Sequence, residues 1–237
     1  MSFTELEKTL IDLRIDLPEV LRDALTKNDG GALNEVGARG RLAVTDDARV
    51  RMSPELSYGR HAGPAPHSAR HAAVMLLLFP RDDRWHVPLT VRPTTLARHG
   101  GQVSLPGGAI DAGETSQQAA LRELHEELGT TAAIDVLGQL AECYVFASDF
   151  RISPWVAATH EEPDWRPHDR EVQDVVELPL ELLVNANLVT EMTIERGPMK
   201  FRAPCLEIGD IGVWGATCVI LEELALVLRQ LSATVAN

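Results

Sequence analysis

Three glutamates, Glu123, Glu126 and Glu127, fall at i, i+3 and i+4 in the segment SQQAALRELHEELG. On an α-helix that spacing places them on one face. Like charges so placed repel by about 0.2–0.5 kcal/mol per pair even in water. A hard divalent cation would turn that cost into affinity, because Mg2+ takes oxygen ligands and is held by a few carboxylates together with substrate phosphates. The chemistry on offer is metal-assisted work on a phosphate. Arg122 stands next to the cluster, and Glu114 lies eight residues before it. A Glu114–Arg122 pair would orient Glu123 rather than react itself. Gly107 and Gly108 let the backbone turn tightly and direct a carbonyl at the same site.

The helix that positions these groups is marked in the sequence. Thr115 followed by Gln118 fits a capping box, so the helix is expected to open at Ser116. Residues 117–122 are mostly good helix formers, and Gly129 supplies a C-terminal stop. Leu121, Leu124 and Leu128 form a second face suited to burial against a sheet. Taken alone, E-x-x-E-E is an ordinary solvated acidic face. The paired glycines, Glu114 and the Arg122-Glu123 step at fixed offsets go beyond that reading.

Residues Gly108 to Thr130, GAIDAGETSQQAALRELHEELGT, follow the pattern G-x5-E-x7-R-E-U-x-E-E-x-G-U, with U aliphatic. This resembles the signature box of the Nudix hydrolases, departing from it only at Thr130. The resemblance implies an α/β fold, a Nudix-type α/β/α sandwich on a mixed β-sheet. It implies a hydrolase acting on a nucleoside diphosphate linked to another group, with Mg2+ or Mn2+ as cofactor. Glu123, Glu126, Glu127 and the Gly107 carbonyl would hold the ions, and Arg122 and Glu114 would complete the catalytic set. The general base would be a box glutamate or a loop carboxylate. Glu171 is the loop candidate because Glu-Val recurs there in similar proteins, and Glu161, Glu162 and Asp174 stay open. A homodimer stays open as well.

The segment Leu89 to Gly108, LTVRPTTLARHGGQVSLPGG, resembles the stretch preceding the box in coenzyme A diphosphatases. Leu89, Thr90, Arg92, Gly101, Pro106, Gly107 and Gly108 match in register. Glu171-Val172 and Trp214-Gly215-Ala216-Thr217 resemble later pieces of that group, so the similarity spans roughly residues 71 to 231. Pro88, Pro93, Ala97 and Leu105 depart from it, and Arg98 stands one place after the usual second arginine. The resemblance makes coenzyme A or a derivative the expected substrate, with 3',5'-ADP and 4'-phosphopantetheine as products. Arg92, Arg98 and His99 are the candidate phosphate contacts, and Gln102 either orders the loop or touches substrate. The departures keep ADP-ribose, a dinucleotide or another such diphosphate in view. A catalytically silent nucleotide-sensing module is the reading from another class, and the retained carboxylates weigh against it.

Composition sets the surroundings. The chain has 237 residues, 45% of them hydrophobic, and a formal net charge of −13. It has no overall basic surface for nucleic acid or an anionic membrane, so a polyanionic substrate needs local cations. Cys143, Cys205 and Cys218 have no zinc-like spacing and read as reduced, buried thiols. His61, His67, His71, His99 and His125 match no zinc pattern either. Without a signal-like N-terminus or a transmembrane run, a soluble cytoplasmic protein is expected.

Residues 1–70 are expected to form N-terminal helices and an irregular extension, and 71–237 the hydrolase domain. Phe3, Leu6, Leu10 and Leu13 mark one helix; a second opens after Asp16 and runs to about Lys27. Ala72–Phe79 is a continuous apolar run fit for a central strand. A turn over Pro80–Arg84 leads to a strand over Trp85–Arg92. Further strands are expected at 134–140, 144–146, 152–159 and 173–178, followed by a short PLELL helix. Residues 189–194 and 201–208 read as a late hairpin. Thr217–Leu231 reads as a closing helix with Ile220, Leu221, Leu224 and Leu228 inward. Trp155, Trp165 and Trp214 are candidates for stacking a base or for core and hinge roles.

Overall fold

The computed structural model describes residues 17–26, 65–95, 101–184, 189–196 and 199–235. The expected helix over residues 3–13, and Arg98 and His99, lie outside them. Strand β1 (Arg70–Arg81) is the axis of the molecule. Its side chains alternate between two buried faces, which is why its sequence is a continuous apolar run. Ala73, Met75 and Leu77 pack against helix α2 (Ser116–Leu128), through Ala119, Ala120, Leu124 and Leu128. Leu76 and Leu78 face the other way, towards Leu17, Leu21 and Leu25 of helix α1 (Leu17–Thr26) and Leu224 and Leu228 of the last helix, α4 (Ala216–Val235). The result is three layers, helix, sheet and helices.

The sheet between them is mixed. β1 pairs in parallel with β7 (Phe150–Ala158) along nine residue pairs, from Arg70↔Phe150 to Leu78↔Ala158. On its other edge it pairs antiparallel with β4 (Gly107–Ala109) and then with β2 (Arg84–Val91). β2 carries β3 (Val103–Ser104) and β8 (Asp174–Pro179), while β7 carries β5 (Asp135–Gln139) and β6 (Cys143–Val145). Short helix α3 (Leu180–Val184) follows β8, and its last carbonyl accepts from Arg229 Nε of α4 at 3.0 Å. A separate antiparallel sheet of β9 (Val189–Arg196), β10 (Met199–Ile208) and β11 (Ile211–Trp214) joins the core through Leu206 and Val213.

The expected strands and helices from residue 72 onward are present, with three differences. The β1–β2 turn is tighter than Pro80–Arg84, because only Asp82 and Asp83 lie outside the strands. Both have positive φ, 49° and 61°, as a two-residue hairpin of the twist-matched kind requires. Arg81 and Arg84 close it, so the Pro80 nitrogen faces the edge that β7 has already left, where no donor is needed. Leu121 is only half-buried, since the apolar stripe of α2 centres on Ala120, Leu124 and Leu128. Gly107 and Gly108 lie in a strand rather than a free loop.

α1 docks into the main core with Leu17, Leu21 and Leu25 all buried, and Arg22 pairs with Asp135 of β5. The three cysteines are buried, and none is in a disulfide. Among the described residues, no helix is long and apolar enough to cross a membrane. The start of α2 closes as its sequence requires: the Gln118 amide N–H donates to Thr115 Oγ1 at 3.2 Å, and the Thr115 N–H donates to Gln118 Oε1 at 2.9 Å. Thr115→Ala is expected to lower stability by about 1 kcal/mol, read as a shift of the urea midpoint. An unchanged midpoint would show that packing alone holds the helix end.

Candidate active site

α2 presents its three glutamates in three different environments. Glu126 is exposed at 56%, Glu123 is mostly covered at 15%, and Glu127 is 4% exposed. The gradient follows from the helix itself. Glu127 lies three residues after Leu124, seven after Ala120 and beside Leu128, so it stands at the margin of the apolar stripe. The acidic face therefore grades from solvated at Glu126 to buried at Glu127.

Arg122 organises the rim. Its guanidinium grips Glu114 with two parallel bonds, Nε to Oε1 at 2.9 Å and Nη2 to Oε2 at 3.0 Å. Nη1 donates to Glu123 Oε1 at 2.8 Å and to Glu126 Oε2 at 3.0 Å, and Nη2 also reaches the Ala109 carbonyl at 3.1 Å. Glu114 additionally accepts from the Asp111 N–H at 3.1 Å. Its carboxyl is held below the usual range by the Arg122 hydrogen bonds and then by that amide. The same contacts, to Glu114 first and then Glu123, raise Arg122 above its ordinary value. A forked pair of this kind fixes geometry as well as charge.

Glu127 is different. One oxygen accepts from the Gly107 N–H at 3.3 Å, which brings β4 to the helix. Burial pushes its carboxyl up to about 7; the Gly107 bond opposes this and the Glu123 charge adds to it. Burial also raises Glu123. Arg92 and Glu171 both act on Glu127 electrostatically, and Glu171 acts on Glu123 too. Arg92 leaves the end of β2 with its Nε buried and, among the described residues, without a hydrogen-bond partner. Its backbone N–H donates to the Gln102 carbonyl at 3.0 Å, so Gln102 closes the base of the intervening loop.

The structure thus brings Glu114, Arg122, Glu123, Glu126, Glu127, Gly107, Arg92 and Glu171 to one edge of α2. Of the other loop carboxylates, Glu162 is held elsewhere, while Asp174 opens β8 opposite Val91. Glu162 bonds Arg81 Nη1 at 3.2 Å, seven residues and so about 23 Å along β1 from Val74, which pairs with Gly107. Asp174 accepts from the neighbouring Val175 N–H at 2.8 Å. The tryptophans have packing partners: Trp155 Nε1 donates to Ser116 Oγ at 3.2 Å, and Trp214 meets Phe201 edge-on. His125 is exposed, with Nδ1 at 2.6 Å from the Leu121 carbonyl. Thr130 is buried, and its hydroxyl accepts from the Ala132 N–H at 3.2 Å, so the departure from an aliphatic residue is satisfied locally. No spacing or residue type marks the Ala109 carbonyl as sharing in holding Arg122.

Do these residues suit a divalent cation? Among the described residues, no three His, Cys, Asp or Glu side chains are already gathered as a metal-binding group. Glu123 and Glu126 turn to Arg122 instead. The donor set nonetheless fits: all carboxylate oxygens, with Glu127 desolvated and, among the described residues, bonded through one long amide contact. Gly108 adds a steric condition, because a Cβ there would overlap the Glu123 carboxylate. The obstruction is the movable end of a side chain. Gly108→Ala is therefore expected to fold normally and to lose about tenfold in turnover as Glu123 is displaced. Wild-type turnover in that variant would mean that the Glu123 position is unimportant.

Known proteins resemble this chain in sequence. The NUDIX domain family model matches residues 69–199. The chain is 32% identical over 160 residues to the uncharacterized Nudix hydrolase NudL of Yersinia enterocolitica, covering 67% of this chain and 81% of that protein. It is 29% identical over 176 residues to Nudix hydrolase 3 of Caenorhabditis elegans, covering 66% and 72%. Among solved structures, the Nudix hydrolase RenU from M. smegmatis aligns with a TM-score of 0.49 at 22% identity, over 70% of this chain and 88% of that one. With the family match spanning more than half of its length, and the box carboxylates and their arginine in place, the chain belongs to the Nudix hydrolases.

Proposed function

We propose that this hydrolase cleaves the diphosphate linkage of coenzyme A or a coenzyme A derivative, giving 3',5'-ADP and 4'-phosphopantetheine. The observation that carries the reading is Arg92. It belongs to the Leu89–Gly108 segment that resembles coenzyme A diphosphatases, and its buried Nε has no acceptor among the described residues. A guanidinium N–H left without a partner is costly, and a diphosphate oxygen would supply one. Arg98 and His99 follow in the same segment as further phosphate contacts, with Gln102 ordering its return. Leu105, a departure from that motif, is buried in the core and bears on packing rather than on substrate.

Mg2+ or Mn2+ would be held by Glu123, Glu126, Glu127 and the Gly107 carbonyl, where it would neutralise the diphosphate and make a water more acidic. Arg122, clamped by Glu114, orients Glu123 for that task. Glu171 accepts the proton of the attacking water. The water oxygen bonds to one phosphorus, the phosphoanhydride bond on its far side breaks, and the leaving phosphate departs as an anion. Arg92 binds and orients the diphosphate.

One departure favours a second reading: Ala97 stands where the motif has its second arginine. ADP-ribose or a dinucleotide lacks the 3'-phosphate of coenzyme A and needs one cation fewer. The test is a panel of coenzyme A, ADP-ribose, NADH and dNTPs, each with Mg2+ and with Mn2+, with products separated by chromatography. Fastest release of 3',5'-ADP from coenzyme A is the expected result. Faster cleavage of another diphosphate would keep the chemistry and replace the substrate.

A further inference from the structure

The segment from Thr159 to Gln173 has no regular secondary structure, yet it is fastened along its whole length. At its start the Thr159 N–H donates to the Leu78 carbonyl at 2.9 Å. In its middle, the Arg166 and His168 N–H groups donate to the Leu128 and Glu127 carbonyls at 2.8 and 3.1 Å, satisfying the open end of α2. Gly129 makes room for this, with φ 62° and a hydrogen position that a Cβ would drive into the Arg166 carbonyl. The Glu171 and Val172 N–H groups both return to the His168 carbonyl, at 2.9 and 3.0 Å. The Gln173 N–H then joins β2 through the Val91 carbonyl at 2.8 Å. Glu171 is therefore carried on a turn that begins at a residue bonded to Glu127 itself.

One anchor of this strap lies far from the carboxylates. Trp165 Nε1 donates to Glu177 Oε1 at 2.7 Å, and its ring meets buried Phe79 edge-on at 5.1 Å. Arg81 grips the same Glu177 with two bonds, at 2.7 and 3.1 Å, and donates to the Pro163 carbonyl at 3.2 Å. Two residues from β1 and β8, 96 positions apart, thus hold one tryptophan and one carbonyl of the strap. Loops positioned by a rigid scaffold are where catalytic groups concentrate.

We propose that Trp165, Glu177 and Arg81 are positioning residues for the hydrolysis: they fix the strap so that Glu171 stands at the acidic edge of α2. The proposal rests on the reading of Glu171 as the proton acceptor. Trp165→Phe keeps the ring against Phe79 and removes the N–H. It is expected to lower kcat about tenfold, a fraction of the roughly hundredfold that a 1 Å displacement can cost, with KM nearly unchanged. In a Glu171→Gln background the same substitution is expected to change kcat less than about twofold, because residues acting through one group are not additive. Equal falls in both backgrounds, or no fall in either, would overturn the proposal. Glu177→Gln, which keeps an acceptor for Trp165 and weakens the Arg81 grip, serves as the second variant should Trp165→Phe fold poorly.

Amide hydrogen exchange separates this proposal from the assignment of substrate. In Trp165→Phe, faster exchange at residues 166–172 with the interior of α2 unchanged is the expected pattern. Unchanged exchange in the strap, or equal acceleration through α2, would contradict the anchor whatever the enzyme cleaves. A wild-type protein inactive on the whole panel would remove the substrate reading and leave this exchange result to decide the anchor.

Discussion

Glu127→Gln is expected to lower turnover by about 10³-fold or more while leaving the fold intact, as loss of a group central to metal-assisted and acid–base chemistry does. The amide oxygen of glutamine still accepts from the Gly107 N–H, so the β4–α2 contact survives. What disappears is a desolvated negative charge. That charge also has a stability signature. Burial pushes the Glu127 carboxyl up to about 7 in the folded protein. Below pH ~4.5 it is protonated in both folded and unfolded chains and costs nothing. As pH rises from there to about 7 the unfolded chain ionises first, so stability falls, by roughly 3 kcal/mol in total. In EDTA, Glu127→Gln is therefore expected to be more stable than wild type at pH 8, with the two converging towards pH 4.5. Urea midpoints at both pH values check this. A variant equally active, or less stable at pH 8, would contradict the assignment.

Arg92→Ala is expected to reduce kcat/KM by about 10- to 100-fold, the worth of one or two hydrogen bonds to a charged group. The loss should fall on binding and orientation together. Stability should change little, because the Nε that is removed has no partner among the described residues and the Arg92–Gln102 backbone bond remains. Arg92→Lys restores the charge without the fork and is expected to recover only part of the loss. Unchanged kcat/KM in Arg92→Ala would remove the observation on which the substrate reading rests.

Much of this site is local in sequence, and local features are legible. The capping box, the leucine stripe, the Glu114–Arg122 clamp and the three carboxylates all fall within 23 residues. Helical periodicity relates the leucines and the three carboxylates, and the short loop before the helix brings Glu114 to Arg122. The same holds for β1, whose two buried faces produce an unbroken apolar run. Other parts depend on partners distant in the chain. β3, β4 and β11 are two, three and four residues long, too short for any period, and exist because β2, β1 and β10 lie beside them. Gly107 and Gly108 therefore read as a tight loop, although pairing with Val74 and Ala73 makes them a strand. The burial of Glu127 was implicit in its place beside Leu124 and Leu128, but its degree depends on β4 and on the strap. The anchor of Trp165 joins residues from three elements, and no spacing marks it.

The most direct measurement follows the products of coenzyme A with wild type and Glu127→Gln, in Mg2+ and in EDTA. Equal amounts of 3',5'-ADP and 4'-phosphopantetheine are expected from wild type with Mg2+, and essentially none from the other three reactions. Cleavage that persists in EDTA, or in Glu127→Gln, would contradict the claim that the acidic edge of α2 is the hydrolytic centre.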